Sequence, residues 1–252
     1  MADLGIAFGI FVLLAGVVLL TLWGQLRLPA RLRNKETHDV IKLGVGMVSV
    51  MASLVLGLFV TSVKGSFDAV DRDVHQFATR LILLDTTLRA YGPDAEGQRQ
   101  QLIGYTEMVL TRTWSRAGDL WLVKDDRAWG MLTDLELHID DLATGTPRQA
   151  SLAAQARSDV QRVIEQRWTL IADAQATFSS SLLIVLILWF VVIFASFGYN
   201  APPNVLVLVS LMICAAAISS SIFMVLEIDG PFSGLIQVSP QPVEDVLASM
   251  KA

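Results

Sequence analysis

The sequence predicts an all-α membrane protein: four transmembrane helices, with a water-exposed helical bundle inserted between the second and the third. Three observations predict it. Mean hydropathy is +0.54 and only 17% of the 252 residues are charged, values that suit a membrane chain better than a soluble domain. Four runs carry no charge at all, residues 4–25, 43–63, 178–197 and 205–226. Each can cross a ~30 Å hydrocarbon core at ~1.5 Å of helix rise per residue. Between the second and third runs the chain is densely charged in both signs and has helical but no strand periodicity. The expected regions are residues 1–63 (helices one and two with a basic loop), 64–177 (the bundle), 178–230 (helices three and four) and 231–252 (a carboxyl-terminal tail).

The first run lacks a basic leader, because Asp3 is the only charge before it, and it exceeds the length of a signal-peptide core. It reads as a retained helix. Gly5 and Gly9 form a small-xxx-small pair of the kind that lets helices approach in lipid, although chance spacing in an apolar helix accounts for it equally well. Arg27, Arg31, Arg33, Lys35 and Lys42 then gather in one short loop. No basic residue precedes helix one, and the turn after helix three has none. The positive-inside rule therefore puts this loop in the cytoplasm and the bundle outside an inner membrane, although Lys64, Arg72, Arg80, Arg162 and Arg167 weigh the other way.

Helix two carries small and polar residues at a spacing of four, Ser49, Ser53, Gly57 and Thr61, leading to Lys64 and Asp68. That spacing keeps them roughly on one face. Such a stripe is a tight helix contact, the commoner case, or the lining of an aqueous pathway with charges at its mouth. Beyond residue 63 the pattern continues without a helix breaker as far as Tyr91-Gly92-Pro93. Val70, Val74, Phe77, Leu81, Leu84 and Leu88 form a seam that must pack on other helices, with Asp85 expected off it.

Further helical patterns follow over residues 94–116, 124–142 and 147–177. They are separated by turns at Ala117-Gly118-Asp119 and Thr144-Gly145-Thr146-Pro147, the latter with Thr146 as N-cap and Pro147 at the first helical position. Short connections suggest an antiparallel bundle. Residues 197–204 (FGYNAPPN) read as a turn, and helix four has a small face of Ser210, Cys214, Ala217 and Ser221. Glu227 and Asp229 fall at the membrane boundary, and Pro231 ends the helix. A short amphipathic stretch, residues 243–250, lies in the tail.

Several function classes find no support. There is no G-x-S-x-G, P-loop, H-E-x-x-H or Cys–His set, so no enzyme is expected. His38, His75 and His138 are scattered, Cys214 is alone, and neither a metal nor another cofactor is implied. The pairs Asp125-Asp126 and Asp140-Asp141 read as solvated surface more readily than as a cation site. A net charge of −5 argues against nucleic acid as a partner.

The run LEIDGPFSGLIQVSPQPVEDVL, residues 226–247, resembles the signature of a bestrophin-like family of bacterial and plant membrane proteins of unknown function, which typically ends in E-L-D-x-P-F-x-G-x-I-x-V-S. Glu227, Asp229, Pro231, Phe232, Gly234, Ile236, Val238 and Ser239 match, and Ile228 replaces the usual Leu. Phe197, Gly198, Asn200, Ala201, Pro202 and Asn204 match the family's F-G-x-N-A-P-x-N turn. Lys64-Gly65-Ser66-Phe67-Asp68 and the Tyr105, Val109, Trp114 set also fit, with Thr113 where Glu is more usual. The resemblance implies an oligomeric ion channel, pentameric if it follows bestrophins, which are anion channels. It also implies a cytosolic bundle, opposite to the charge count, and the charge count is preferred here. A pore would then form between subunits in the lipid bilayer, with helix two lining it. The alternative is a membrane-anchored sensor or scaffold whose bundle binds a ligand or a partner protein.

Overall fold

The computed structural model describes residues 2–25, 35–114, 126–175, 180–202 and 204–252, and among these every regular element is helical and none is a strand. The α-helices are α1 (Ala2–Gln25), α2 (Lys35–Tyr91), α3 (Glu96–Thr113), α4 (Asp126–Asp140), α5 (Pro147–Ala174), α6 (Ser180–Asn200), α7 (Val205–Asp229) and α8 (Gln241–Lys251), with a 3-10 turn at Pro93–Ala95. Four of them, α1, α2, α6 and α7, are long and apolar enough to cross a membrane. Helix α2 has 57 residues, far more than a ~30 Å core needs. Its charge-free stretch, 43–63, is the part suited to hydrocarbon. The chain divides into two compact units, Met1–Lys64 with Phe178–Asp229, and Gly65–Thr177 with Gly230–Ala252.

In the first unit α1 packs on both α6 and α7. The core is large and apolar: Ile10, Leu14 and Val18 meet Leu186, Phe190, Ile193 and Phe194 of α6 and Ala215 and Ile222 of α7, with Ala52 of α2. Two sequence expectations change here. The Gly5 and Gly9 pair touches nothing, since a Cβ at either would have no neighbour within 4 Å. And residues 197–200 are not yet a turn: α6 continues to Asn200. The break comes at Ala201-Pro202, because proline disfavours the helical conformation of the residue before it. Gly198 serves packing instead. A Cβ there would lie 2.0 Å from Thr21 Oγ1 and 3.1 Å from the Val18 carbonyl, so only glycine admits α1 this close.

In the second unit the outer half of α2 and helices α3, α4 and α5 surround one core. The seam residues Val70, Val74, Phe77, Leu81, Leu84 and Leu88 are all buried in it. Neighbours run antiparallel. Asp85 near the end of α2 meets Arg99 near the start of α3, while Phe77 further back meets Tyr105 further on, ring edge to ring face at 6.4 Å. Gln98 and Gln101 of α3 reach His138 at the far end of α4, and Trp129 of α4 lies beside Trp168 of α5. Glycine at 92 has φ +112, a left-handed conformation that lets the chain leave α2. At the start of α5 the Thr146 hydroxyl accepts from Gln149 N–H while the Gln149 side chain accepts from Thr146 N–H, a complete capping box, with Pro147 behind it.

The tail is not a loose appendage. Helix α8 packs on α3, and Val238, Val243 and Met250 join the bundle core.

Candidate functional site

The stripe on α2 lies at the edge of the first unit's packing. The helix turns Ala52, Phe59 and Val63 inward. Ser49 is half-buried, whereas Ser53, Gly57, Thr61 and Lys64 are exposed, and a Cβ on Gly57 would meet nothing within 4 Å. So, among the described residues, the stripe from Ser53 to Lys64 faces away from the packing of the first unit. The hydroxyls donate to their own helix, Ser49 to the Val45 carbonyl at 2.8 Å and Thr61 to the Gly57 carbonyl at 2.9 Å. That leaves oxygen lone pairs to face outward as acceptors. Lys64 and Asp68 follow one turn apart on the same helix, and both engage neighbours. An apolar cleft of about 410 Å³ opens beside Ser49, lined by Lys42, Val45 and Gly46 of α2, Ser196 and Phe197 of α6, and Val207 and Leu211 of α7. The small face of α7 behaves like that of α2: Ser210, Cys214, Ala217 and Ser221 are exposed, while Ala215, Ser219 and Ile222 pack.

The second unit holds its polar groups inside. Asp85, expected off the seam, is 1% exposed. It lies four residues after Leu81 and three before Leu88, so the buried face is wider than a two-position seam. Arg89 Nε donates to Asp85 Oδ2 at 2.8 Å and Arg99 Nε to Oδ1 at 2.9 Å. The same guanidiniums donate to the last carbonyls of α8, Arg89 to Ser249 and Met250, Arg99 to Met250. Cations at a helix carboxyl end match its dipole and satisfy carbonyls the helix itself leaves open. Lower in the bundle the Thr87 hydroxyl donates to Asp159 Oδ2 at 2.8 Å. Tyr105 is fully buried, and burial pushes its hydroxyl above the ordinary tyrosine range, against the pull of the Arg167 charge.

The signature residues divide between the units. Glu227 is buried at the end of α7, and it and Asp229 both engage neighbours. Beyond Pro231, Gly234 has φ +92 and the Val238 N–H donates back to the Pro231 carbonyl at 2.8 Å. Phe232 packs edge-on against Trp114 at 5.4 Å, and Trp114 Nε1 donates to the Val238 carbonyl at 2.7 Å. Phe67 lies against the bundle core. Pro202 is exposed in the turn before α7, where Asn204 Oδ1 accepts from Leu206 N–H. These positions are thus spread over helix α2, a turn, a helix end and a loop. The Asn200 side chain, Arg27, Arg31 and Arg33, the turn at 117–119 and the carboxylates of Asp125 and Asp126 lie outside the described residues. Asp140 is held by Arg157. Among the described residues no group of three or more His, Cys, Asp or Glu could hold a metal ion.

The Bestrophin-like domain matches residues 12–243, nearly the whole chain. The chain belongs to the bestrophin-like family. No curated protein shows a significant match to it, and no solved structure does. In this bestrophin-like chain the residues that sequence reading missed are Asp85, Arg89 and Arg99. The only local signal for them was the i, i+4 pair of Asp85 and Arg89, a spacing that usually marks solvated helix surface. Their third partner, the end of α8, lies 151 to 161 residues away.

Proposed function

We propose that this chain is one subunit of an ion channel whose pore follows an axis shared by several copies. The observation that carries the reading is the outward polar edge of α2, which the chain's own membrane helices leave exposed. The charge-free spans of the four helices put no charged side chain inside one copy, so an ion path needs an axis between subunits. On this reading Ser49, Ser53, Gly57 and Thr61 line the path, with Lys64 and Asp68 at its mouth. The exposed small face of α7 supports contact with further copies, since small residues favour close helix approach in lipid. Five copies follow if the bestrophin arrangement holds. The basic loop of residues 27–42 would face the cytoplasm of an inner membrane and the bundle the outside. The reading includes no catalytic step.

Reconstitution into planar bilayers tests it. Purified protein should give unitary currents, and Ser53→Cys or Thr61→Cys in a Cys214→Ser background should be blocked by a water-soluble thiol reagent. Ile213→Cys, exposed on α7, should be indifferent. Silence under every anion and cation gradient, together with one bundle-binding protein co-purifying from native membranes, would favour the sensor or scaffold instead.

A further inference from the structure

Lys42 stands on α2 at the head of two apolar grooves on neighbouring faces of the helix. The first, of about 410 Å³, runs past Val45 to Ser49 and is walled by Phe197 of α6 and Leu211 of α7. The second, of about 670 Å³, follows Met47, Val50 and Met51, which are all exposed. Gly46 borders both. A Cβ there would meet nothing within 4 Å, so the missing side chain makes room for no neighbour among the described residues and leaves the space between the grooves open. The Ser49 hydroxyl donates to the Val45 carbonyl, so it brings no unsatisfied donor into the first groove.

Lys42 itself is exposed and belongs to no ion pair among the described residues. Its neighbours place it at the membrane surface. It comes directly before the charge-free stretch 43–63, and its first groove is also lined by Ala201, just past the end of α6, and Val207, in the first turn of α7. Membrane helices end where hydrocarbon gives way to headgroups. A cation at that level, with apolar walls running inward from it, matches a molecule in which a negative headgroup is joined to two hydrocarbon tails.

We propose that Lys42 and the two grooves bind a diacyl phospholipid of net negative charge, with its phosphate at the ammonium group and one tail in each groove. Charge selects the lipid. Between Arg27 and Lys42 five cations outnumber the anions Glu36 and Asp39, so this membrane face attracts anionic headgroups. The amino-terminal end of α7 adds the positive end of a helix dipole. The grooves select a two-tailed form, because in a bilayer an apolar wall gains little from burial as such and discriminates by fit. On the ion-channel reading the lipid borders the path at Ser49, but the site stands on one copy alone and its test reads binding, not current.

Native mass spectrometry of the full chain, stripped of lipid in a non-ionic detergent, tests the site. Dioleoyl phosphatidylglycerol should bind as one tightly held lipid per copy, and dioleoyl phosphatidylcholine, with the same tails and no net charge, should bind about fivefold more weakly. Lys42→Ala should abolish that preference by weakening the phosphatidylglycerol alone. Gly46→Leu, which has open space around it and so keeps the fold, should weaken both lipids by filling the junction of the grooves. Single-tailed oleoyl lysophosphatidylglycerol should bind more weakly than the two-tailed form. Lys251→Ala, which removes one positive charge from the second unit, should bind as wild type does. Equal binding of the two headgroups by wild type overturns the site, as does a headgroup preference that survives Lys42→Ala or wild-type binding by Gly46→Leu.

Discussion

The two units solve the same packing problem in opposite ways. The membrane unit buries large apolar side chains, with Ser219 and Glu227 of α7 its buried polar groups among the described residues, and turns other small and hydroxyl-bearing positions outward, at Ser53, Gly57 and Thr61 on α2 and at Ser210, Cys214 and Ala217 on α7. The bundle buries apolar side chains too, but it also encloses Asp73, Asp85, Thr87, Asp159 and Arg167. Solvent explains the contrast. In lipid an exposed leucine costs nothing, so apolar burial alone does not drive helices together. In water the leucine seam drives folding, and a buried carboxylate is tolerated once guanidiniums and hydroxyls surround it. The outward faces of the first unit therefore suit a lipid surround. The inward charges of the second bond across helices, Asp85 of α2 to Arg99 of α3 and Asp159 of α5 to Thr87 of α2.

Variants that move a residue from one rule to the other sharpen this contrast. The largest effect is expected from Leu84→Asp, which puts an unpaired carboxylate at a fully buried position and should cost more than about 4 kcal/mol. Circular dichroism should show the bundle melting out at ambient temperature, and a cooperative, wild-type-like transition would contradict the seam. Next comes Asp85→Ala, which strips two arginines of their shared carboxylate and releases the end of α8. A loss of about 3 kcal/mol is expected, with limited proteolysis now cutting the tail. An uncut tail would mean that apolar packing alone holds α8.

Thr146→Ala should cost about 1 kcal/mol by removing the cap of α5, and Thr146→Ser should recover most of it. A thermal melt of the three proteins side by side decides the point. The smallest effect belongs to Leu58→Ala on α2. That side chain is 63% exposed on the single chain, so the detergent-solubilised monomer should change by less than about 0.5 kcal/mol. If the monomer is clearly destabilised, α2 packs more tightly in its own chain than its exposure indicates.

Sequence by itself determined the features that depend on neighbours along the chain. Uncharged runs of membrane length marked α1, α2, α6 and α7. A spacing of three and four marked the seam from Val70 to Leu88, and Thr146-Pro147 marked the start of α5. Each is a local signal, since capping, helical period and the length of an apolar run are properties of consecutive residues. Tertiary structure alone decided the rest. Asp85 became a core residue because three helix ends converge on it, and Gly198 proved to be a contact point because Thr21 lies against it. The tail became a fifth bundle helix because Arg89 and Arg99 reach its last carbonyls. No pattern in consecutive residues encodes these pairings, because burial and charge compensation are set by groups that only folding brings together.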